Sequence, residues 1–230
     1  MEQLWQRTPT WLDLADWRKR VAAMYAARDA ALTAGGDPQT LWENWRATRD
    51  DLFARHPQSP LSDVAQRAIT QLHYFPYNPA WRVTAQVEPI ADDVDKFDGV
   101  APVGMRFRHA ARLHFTLMDT PPEAGRSGAS GAEPVTLTLY WIDVYGGGLF
   151  LPFRDASGAD ESYGGGRYLC DTVKGSTLWS PDDAGQTVVL DFNYAYNPSC
   201  AYDERWLCPL APTENRVAAP IRAGELRFHP

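Results

Sequence analysis

The spacing of apolar residues changes near residue 75, and this change constrains the fold more than any other feature of the chain. Before it, apolar residues recur at helical spacing, as in Leu14, Trp17, Val21, Met24 and Tyr25. After it they alternate with polar residues, most clearly on one face of an expected strand carrying Met105, Phe107, Ala111, Leu113, Phe115 and Leu117. Such alternation is typical of an antiparallel sheet with one wet face. We therefore predict an α+β fold, with an N-terminal helical segment (1–75) packed on a mainly antiparallel β-rich body (76–230) as one structural domain.

The form of that body is left open between a curved sheet, a sandwich and a partly closed barrel. Asp13 is the expected N-cap of the first helix. Asp37-Pro38 begins a second helix that ends at His56-Pro57, and Ser59-Pro60 predicts the start of a third helix. Strands are expected at 81–88, 105–117, 135–144, 149–153, 167–173, 188–196 and 216–221, with a hairpin loop at 119–134.

Composition excludes few functions but makes some less favoured. The net charge is -7 and the pI about 5.2, whereas phosphate binding needs clustered Lys and Arg, so no nucleic-acid partner is expected. No apolar run approaches the roughly 20 residues that span a bilayer, and the N-terminus lacks a signal-peptide pattern, so the expectation is a cytoplasmic protein without a membrane. Nucleotide-binding, serine-hydrolase and zinc-protease motifs are absent, and no cofactor or catalytic residue is predicted.

Polar residues that could contact a ligand lie around the expected strand 188–196. Asp191 and Asn193 are two residues apart and share a face, so they either enter a cavity or lie on the surface. The turn signal at Tyr196-Asn197-Pro198 places them close to a strand end. Arg167 leaves a glycine-rich turn, and its guanidinium can bind a ligand carboxylate or phosphate or pair with Asp191 or Glu225.

Cys200 and Cys208 are separated by seven residues, which is not the short spacing of a zinc knuckle. No histidine is near them in sequence to activate a thiol. Buried structural thiols are therefore favoured, a disulfide is the next interpretation and a catalytic cysteine the last, while Cys170 is expected in the core. A metal site is the least favoured hypothesis, and it would use residues such as Asp155, Asp160, Glu161, His109 and His114.

The segments HPQSPL, YFPYNPAWRV, FLPFRD, SYGGGRYL, LDFNYAYNPSCAY, CPLAPTEN and IRAGE, in this order, resemble the bacterial and archaeal domain-of-unknown-function family 1684 over residues 40–226. Two departures are Ser162, where the family pattern has Thr, and Ala211, where it favours Pro. The resemblance implies no activity. It does suggest ligand-binding candidates, namely Arg167, Tyr168, Asp191, Asn193, Tyr196, Asn197, Glu214, Asn215 and Glu225, with Cys200 and Cys208 in structural roles.

Two functions follow as hypotheses. The first is binding of a small molecule in a pocket of the β body, with hydrolytic or other acid/base activity as an extension through Asp191 or a glutamate. The alternative is a non-catalytic interaction or scaffold module that presents the helical tryptophans Trp5, Trp11, Trp17, Trp42 and Trp45 to a partner. Packing of these tryptophans in the core is favoured over that alternative, and the sequence specifies no oligomeric state.

Overall fold

The computed structural model describes residues 8–91, 97–117, 133–178 and 184–229. Trp5 and most of the expected loop at 119–134 lie outside these residues. The N-terminal helices pack on a six-stranded antiparallel sheet that curls into a half-barrel, so the predicted α+β class and curved sheet are confirmed. Among the described residues, no helix has the length and apolar character needed to cross a membrane.

Three helices precede the sheet: α1 (Trp11–Thr33), α2 (Pro38–Arg55) and α3 (Asp63–Ala68). The ends of α2 at Asp37-Pro38 and His56 are confirmed. The expected N-cap of α1 was wrong, because Thr10 is the cap and Asp13 completes a capping box as the third helical residue. The third helix begins later than expected because Ser62 caps α3.

The strands are β1 (Arg82–Pro89), β2 (Phe107–Leu117), β3 (Glu133–Ile142), β4 (Gly148–Phe153), β5 (Arg167–Asp171) and β6 (Thr187–Asp191). Their order is β5-β4-β3-β2-β1-β6, and every neighbouring pair is antiparallel. The segment after β6 meets the opposite edge strand through a two-way backbone pairing of Tyr168 with Tyr196. This pairing brings the two edges of the curled sheet together.

Two expected strands differ in the structure. The strand at 188–196 ends at Asp191, because its carboxylate accepts the backbone N–H of Asn193 and starts a 3₁₀ turn (Phe192–Tyr194). No strand forms at 216–221; Arg216 makes only an isolated parallel bridge with Arg154.

The core has two main parts. The first is a cluster of apolar side chains on the sheet, and it includes Leu113, Leu137, Leu151, Leu190, Phe153, Phe192 and Cys170. A second, aromatic cluster joins the helices to the sheet through Trp42 and Trp45, and the indole N–H of Trp42 donates to the Asn193 carbonyl at 2.8 Å. The predicted core positions of Cys170, Trp42 and Trp45 are therefore confirmed, whereas Trp17 is half-buried and Trp11 is exposed.

Candidate functional site

A cleft opens between α1, α2 and the turn that follows β6, and we call it the helix–loop cleft. The cavity within it has a volume of about 60 Å³ and is open to solvent on one side. Its walls are mainly apolar and aromatic. The residues that define it are Trp17, Val21, Met24, Tyr25, Arg49, Leu52, Phe53, Pro60, Tyr168, Lys174, Ser176, Tyr196, Asn197, Pro198, Ser199 and Tyr202.

A few polar groups converge on one side of this cleft. The hydroxyls of Ser176 and Tyr196 are hydrogen-bonded at 2.7 Å. Burial raises the pKa of Tyr196 well above its ordinary value, so its hydroxyl stays un-ionised near neutral pH. Lys174 is partly exposed, and its Nζ lies 3.8 Å from an Asp171 oxygen. This wall therefore places one ammonium beside a buried hydroxyl pair, in which Ser176 also bonds the Asp171 backbone.

The turn that carries Lys174 and Ser176 depends on Gly175. Its φ is +91°, in the left-handed region that favours glycine. A Cβ at this position would also lie 2.9 Å from backbone atoms of Arg18 and Ala22 in α1. The close approach of the turn to α1 therefore fixes the two polar residues at the cleft.

The guanidinium of Arg49 borders the cleft but is committed to protein partners. It donates to the Tyr74 and Tyr202 hydroxyls, each at 2.9 Å, and pairs with Glu225 at 2.6 Å. Glu225 also accepts the backbone N–H of Asn197 at 3.0 Å. Because the charges of Arg49 and Glu225 neutralise each other, this network ties α2 to the C-terminal segment and leaves Lys174 as the nearest partly exposed cation on the cleft wall.

Asp191 lies in a second and smaller pocket of about 20 Å³, lined by Arg28, Leu32, Arg82, Leu169, Thr177, Leu178, Val189, Asp191 and Tyr194. The Asp191 carboxylate accepts both the backbone and side-chain N–H groups of Asn193 and lies 3.8 Å from Arg82. Burial raises the pKa of Asp191 in spite of these contacts. Among the described residues, the buried hydroxyl of Tyr194 has no hydrogen-bond partner.

Arg167 is fully buried and has no access to solvent. It pairs with Asp155 at 3.0 Å and donates to the carbonyls of Ile221 and Ala223. The sequence left its partner open between a ligand, Asp191 and Glu225, but the carboxylate it meets is that of Asp155. Arg167 therefore fastens the C-terminal segment to β5 in this structure.

Glu214 and Asn215 lie together beside β3. Glu214 accepts the Tyr140 hydroxyl and lies 3.0 Å from Nε2 of His109. The Asn215 side chain accepts the backbone N–H of Thr138 and donates to the carbonyls of Thr138 and Pro152. These three hydrogen bonds of the Asn215 side chain hold the turn Thr213–Asn215 against the sheet.

The structure thus divides the nine predicted ligand-binding residues among separate places. Tyr168, Tyr196 and Asn197 border the helix–loop cleft, whereas Asp191 lines the smaller pocket. Asn193 does not line it, and its side chain bonds Asp191 and the backbone of Asn78. The other four residues hold the C-terminal segment or the turn beside β3, and they are Arg167, Glu225, Glu214 and Asn215.

Sequence analysis did not find Arg49, Lys174 or Ser176. Arg49 and Ser176 belong to no recognisable motif, and only the Gly after Lys174 marks a turn there. The cysteines Cys200 and Cys208 are free thiols close to the cleft, beside Ser199. Within the described part of the chain, no group of three or more His, Cys, Asp or Glu side chains could hold a metal ion.

Comparison with known proteins places the chain in a family. The model of a family described as "Protein of unknown function (DUF1684)" matches residues 67–226. An uncharacterised protein of Haloarcula marismortui, solved by solution NMR, is 27% identical; the alignment covers 82% of this chain and 93% of that protein, with a TM-score of 0.54. The comparison with curated proteins gave no match.

Proposed function

The chain belongs to the DUF1684 family, and we propose that it binds a small, mainly apolar molecule with one polar or anionic group in the helix–loop cleft. The observation that carries this proposal is the composition of the cleft wall. Aromatic and aliphatic side chains form most of it, and the Ser176–Tyr196 hydroxyl pair and Lys174 provide the few polar groups. Small-molecule sites typically combine an apolar lining with a few placed polar groups in this way.

The charges around the cleft favour a neutral or anionic ligand. The positive charge of Arg49 is balanced by Glu225 at 2.6 Å. Lys174 is only loosely paired with Asp171 at 3.8 Å, and its side chain keeps 44% of its exposure. A ligand carboxylate could therefore approach the ammonium while its apolar body lies along the aromatic wall.

Two fluorescent probes of similar shape can test this arrangement. Anilinonaphthalene sulfonate is apolar and anionic, and N-phenylnaphthylamine has a similar ring system without the charge. We expect both to bind the native protein at one saturable site per chain. Lys174→Gln should weaken binding of the anionic probe by up to about fivefold, as expected for a partly exposed charge pair worth about 1 kcal/mol or less, and should leave binding of the neutral probe unchanged.

Lys19→Gln is the matched control, because Lys19 is exposed on α1 and does not line the cleft. Val21→Phe, which places a larger side chain at the cleft, should weaken binding of both probes. Near-ultraviolet circular dichroism must stay native throughout, since the anionic probe also binds partly unfolded proteins. Lack of stoichiometric binding to the native protein, or binding that Val21→Phe leaves unchanged, would refute the proposal.

Acid/base chemistry at Asp191 is a second candidate function. It is supported by the pocket beside this carboxylate, by the raised pKa of Asp191 and by the unpartnered hydroxyl of Tyr194. A carboxyl with a raised pKa is better suited to proton transfer near neutral pH. In a panel of chromogenic esters, amides and phosphoesters, Asp191→Asn should abolish any turnover that Asp143→Asn preserves. Equal turnover by the two variants would exclude this role.

A further inference from the structure

Cys200 and Cys208 lie close together in the segment that follows β6. Cys200 lies in a 3₁₀ turn (Ser199–Ala201), and its backbone N–H donates to the sulfur of Cys208 at 3.3 Å. Cys200 is partly exposed, whereas Cys208 is nearly buried. The sulfur of Cys208 therefore lies at hydrogen-bond distance from the main chain of Cys200, which keeps the two cysteines next to each other.

The surroundings of this pair favour a thiolate. The S–H of Cys200 and the nearby ammonium of Lys174 stabilise the Cys208 thiolate, and together they lower the pKa of Cys208 to about 6. The same hydrogen bond raises the pKa of Cys200, and the Tyr163 hydroxyl lies 3.8 Å from the Cys200 sulfur.

The third cysteine provides a contrast within the same chain. Cys170 is completely buried in β5, and burial raises its pKa to about 12. Its S–H lies 3.7 Å from the carbonyl oxygens of Leu149 and Ser176. A buried, protonated thiol of this kind is unreactive, so the chain carries its own internal control.

We propose that Cys200 and Cys208 form a reactive dithiol that exchanges with low-molecular-weight disulfides and closes to an intramolecular disulfide. The Cys208 thiolate attacks one sulfur of the small disulfide, forms a mixed disulfide and expels one small thiolate. Cys200 then loses its proton to that thiolate, attacks the Cys208 sulfur and expels the second small thiolate, which takes a proton from solvent. The dithiol is oxidised by two electrons, and one small disulfide is reduced to two thiols.

Oxidised glutathione is the probe for the test. After incubation with the native full-length protein, we expect two of the three thiols to be lost and two glutathione molecules to be released per chain. Mass spectrometry of peptides should locate a disulfide between Cys200 and Cys208, with Cys170 still a free thiol. This measurement needs no variant and therefore does not depend on the folding of a mutant.

The order of the two steps is tested by single variants. Cys200→Ser keeps a hydrogen-bond donor beside Cys208 but removes the second thiol, so it should accumulate one glutathione adduct on Cys208. Cys208→Ser should react with oxidised glutathione at least about tenfold more slowly than the native protein. Retention of all three thiols in the native protein, modification of Cys170 as fast as the pair, or failure of Cys200→Ser to trap an adduct would each overturn the proposal.

Discussion

Replacement of Arg167 by Met removes a charged side chain that is completely buried. The Arg167 side chain is 0% exposed and the Asp155 side chain 3% exposed, and they form a salt bridge of 3.0 Å. Arg167 also donates to the carbonyls of Ile221 and Ala223, so the substitution leaves a carboxylate and two carbonyl groups without this donor.

The expected cost follows from that geometry. Removing one partner of a buried ion pair typically costs about 3–5 kcal/mol, because the other charge stays buried and unpaired. Asp155 keeps two backbone donors, from Ser157 at 3.1 Å and Ile221 at 2.7 Å, which places the expected loss nearer the lower limit, at about 3 kcal/mol. Since domains are stable by about 5–15 kcal/mol, a large part of the total would be lost.

Urea unfolding followed by circular dichroism measures this loss. With a slope of about 2–3 kcal/mol per M, the midpoint of Arg167→Met should fall by roughly 1–1.5 M while the slope is unchanged. Arg55→Met is the matched control, because the Arg55–Asp51 pair is exposed and such pairs contribute about 0–1 kcal/mol. The double variant Asp155→Asn with Arg167→Met should recover part of the loss, because it removes the stranded carboxylate.

A shift for Arg167→Met no larger than that of Arg55→Met would refute this reasoning. It would mean that Arg167 contributes little to stability and that its burial serves another purpose, such as binding. Failure of the double variant to recover any stability would show that the unpaired carboxylate is not the main cost.

Three further predictions concern the core, a turn and a thiol. Trp45→Ala should destabilise the protein by about 3–5 kcal/mol in urea unfolding, and the exposed Trp11→Ala by less than about 0.5 kcal/mol; equal effects would contradict the core packing of the helices. Gly104→Ala should lower the free energy of unfolding by about 1–2 kcal/mol, because Gly104 has a positive φ. Gly175→Ala should lower it by more, because a Cβ at this position would also contact the backbone of α1; equal losses of melting temperature would contradict this. The difference in thiolate absorbance between the native protein and Cys208→Ser should titrate near pH 6, and a midpoint near 9.0 would show that the pKa is not lowered. The stability that the lowered pKa of Cys208 contributes is fully present above the ordinary value of 9.0 and should be lost as the pH falls from there to about 6.

The sequence determined the fold class because periodicity and capping are local properties. The alternation along 111–117 follows from the pleat of a strand. The bulge between His109 and Ala111 changes the face, so Phe107 lies in the aromatic cluster and the prediction that it shares a face with Ala111 to Leu117 was wrong. The Asp37-Pro38 start of α2 depends on a side chain that bonds a backbone N–H three residues away. Such signals require no knowledge of distant residues.

Sequence patterns gave wrong or incomplete predictions where a tertiary contact determined the structure. The strand ending at Asp191 looked continuous to Tyr196, but its carboxylate turns the chain and Tyr196 pairs with Tyr168 across the closing sheet. The tertiary structure also assigned the partner of Arg167, since Asp155 is twelve residues away and no pattern links them.

The sequence by itself therefore determined helices followed by an antiparallel sheet and a buried Cys170. Only the tertiary structure showed that Lys174, Ser176 and Tyr196 meet at one cleft and that Cys200 and Cys208 touch. The reason is physical: secondary structure is encoded by residues within a few positions of one another, whereas a site is formed by side chains that chain topology brings together from distant positions.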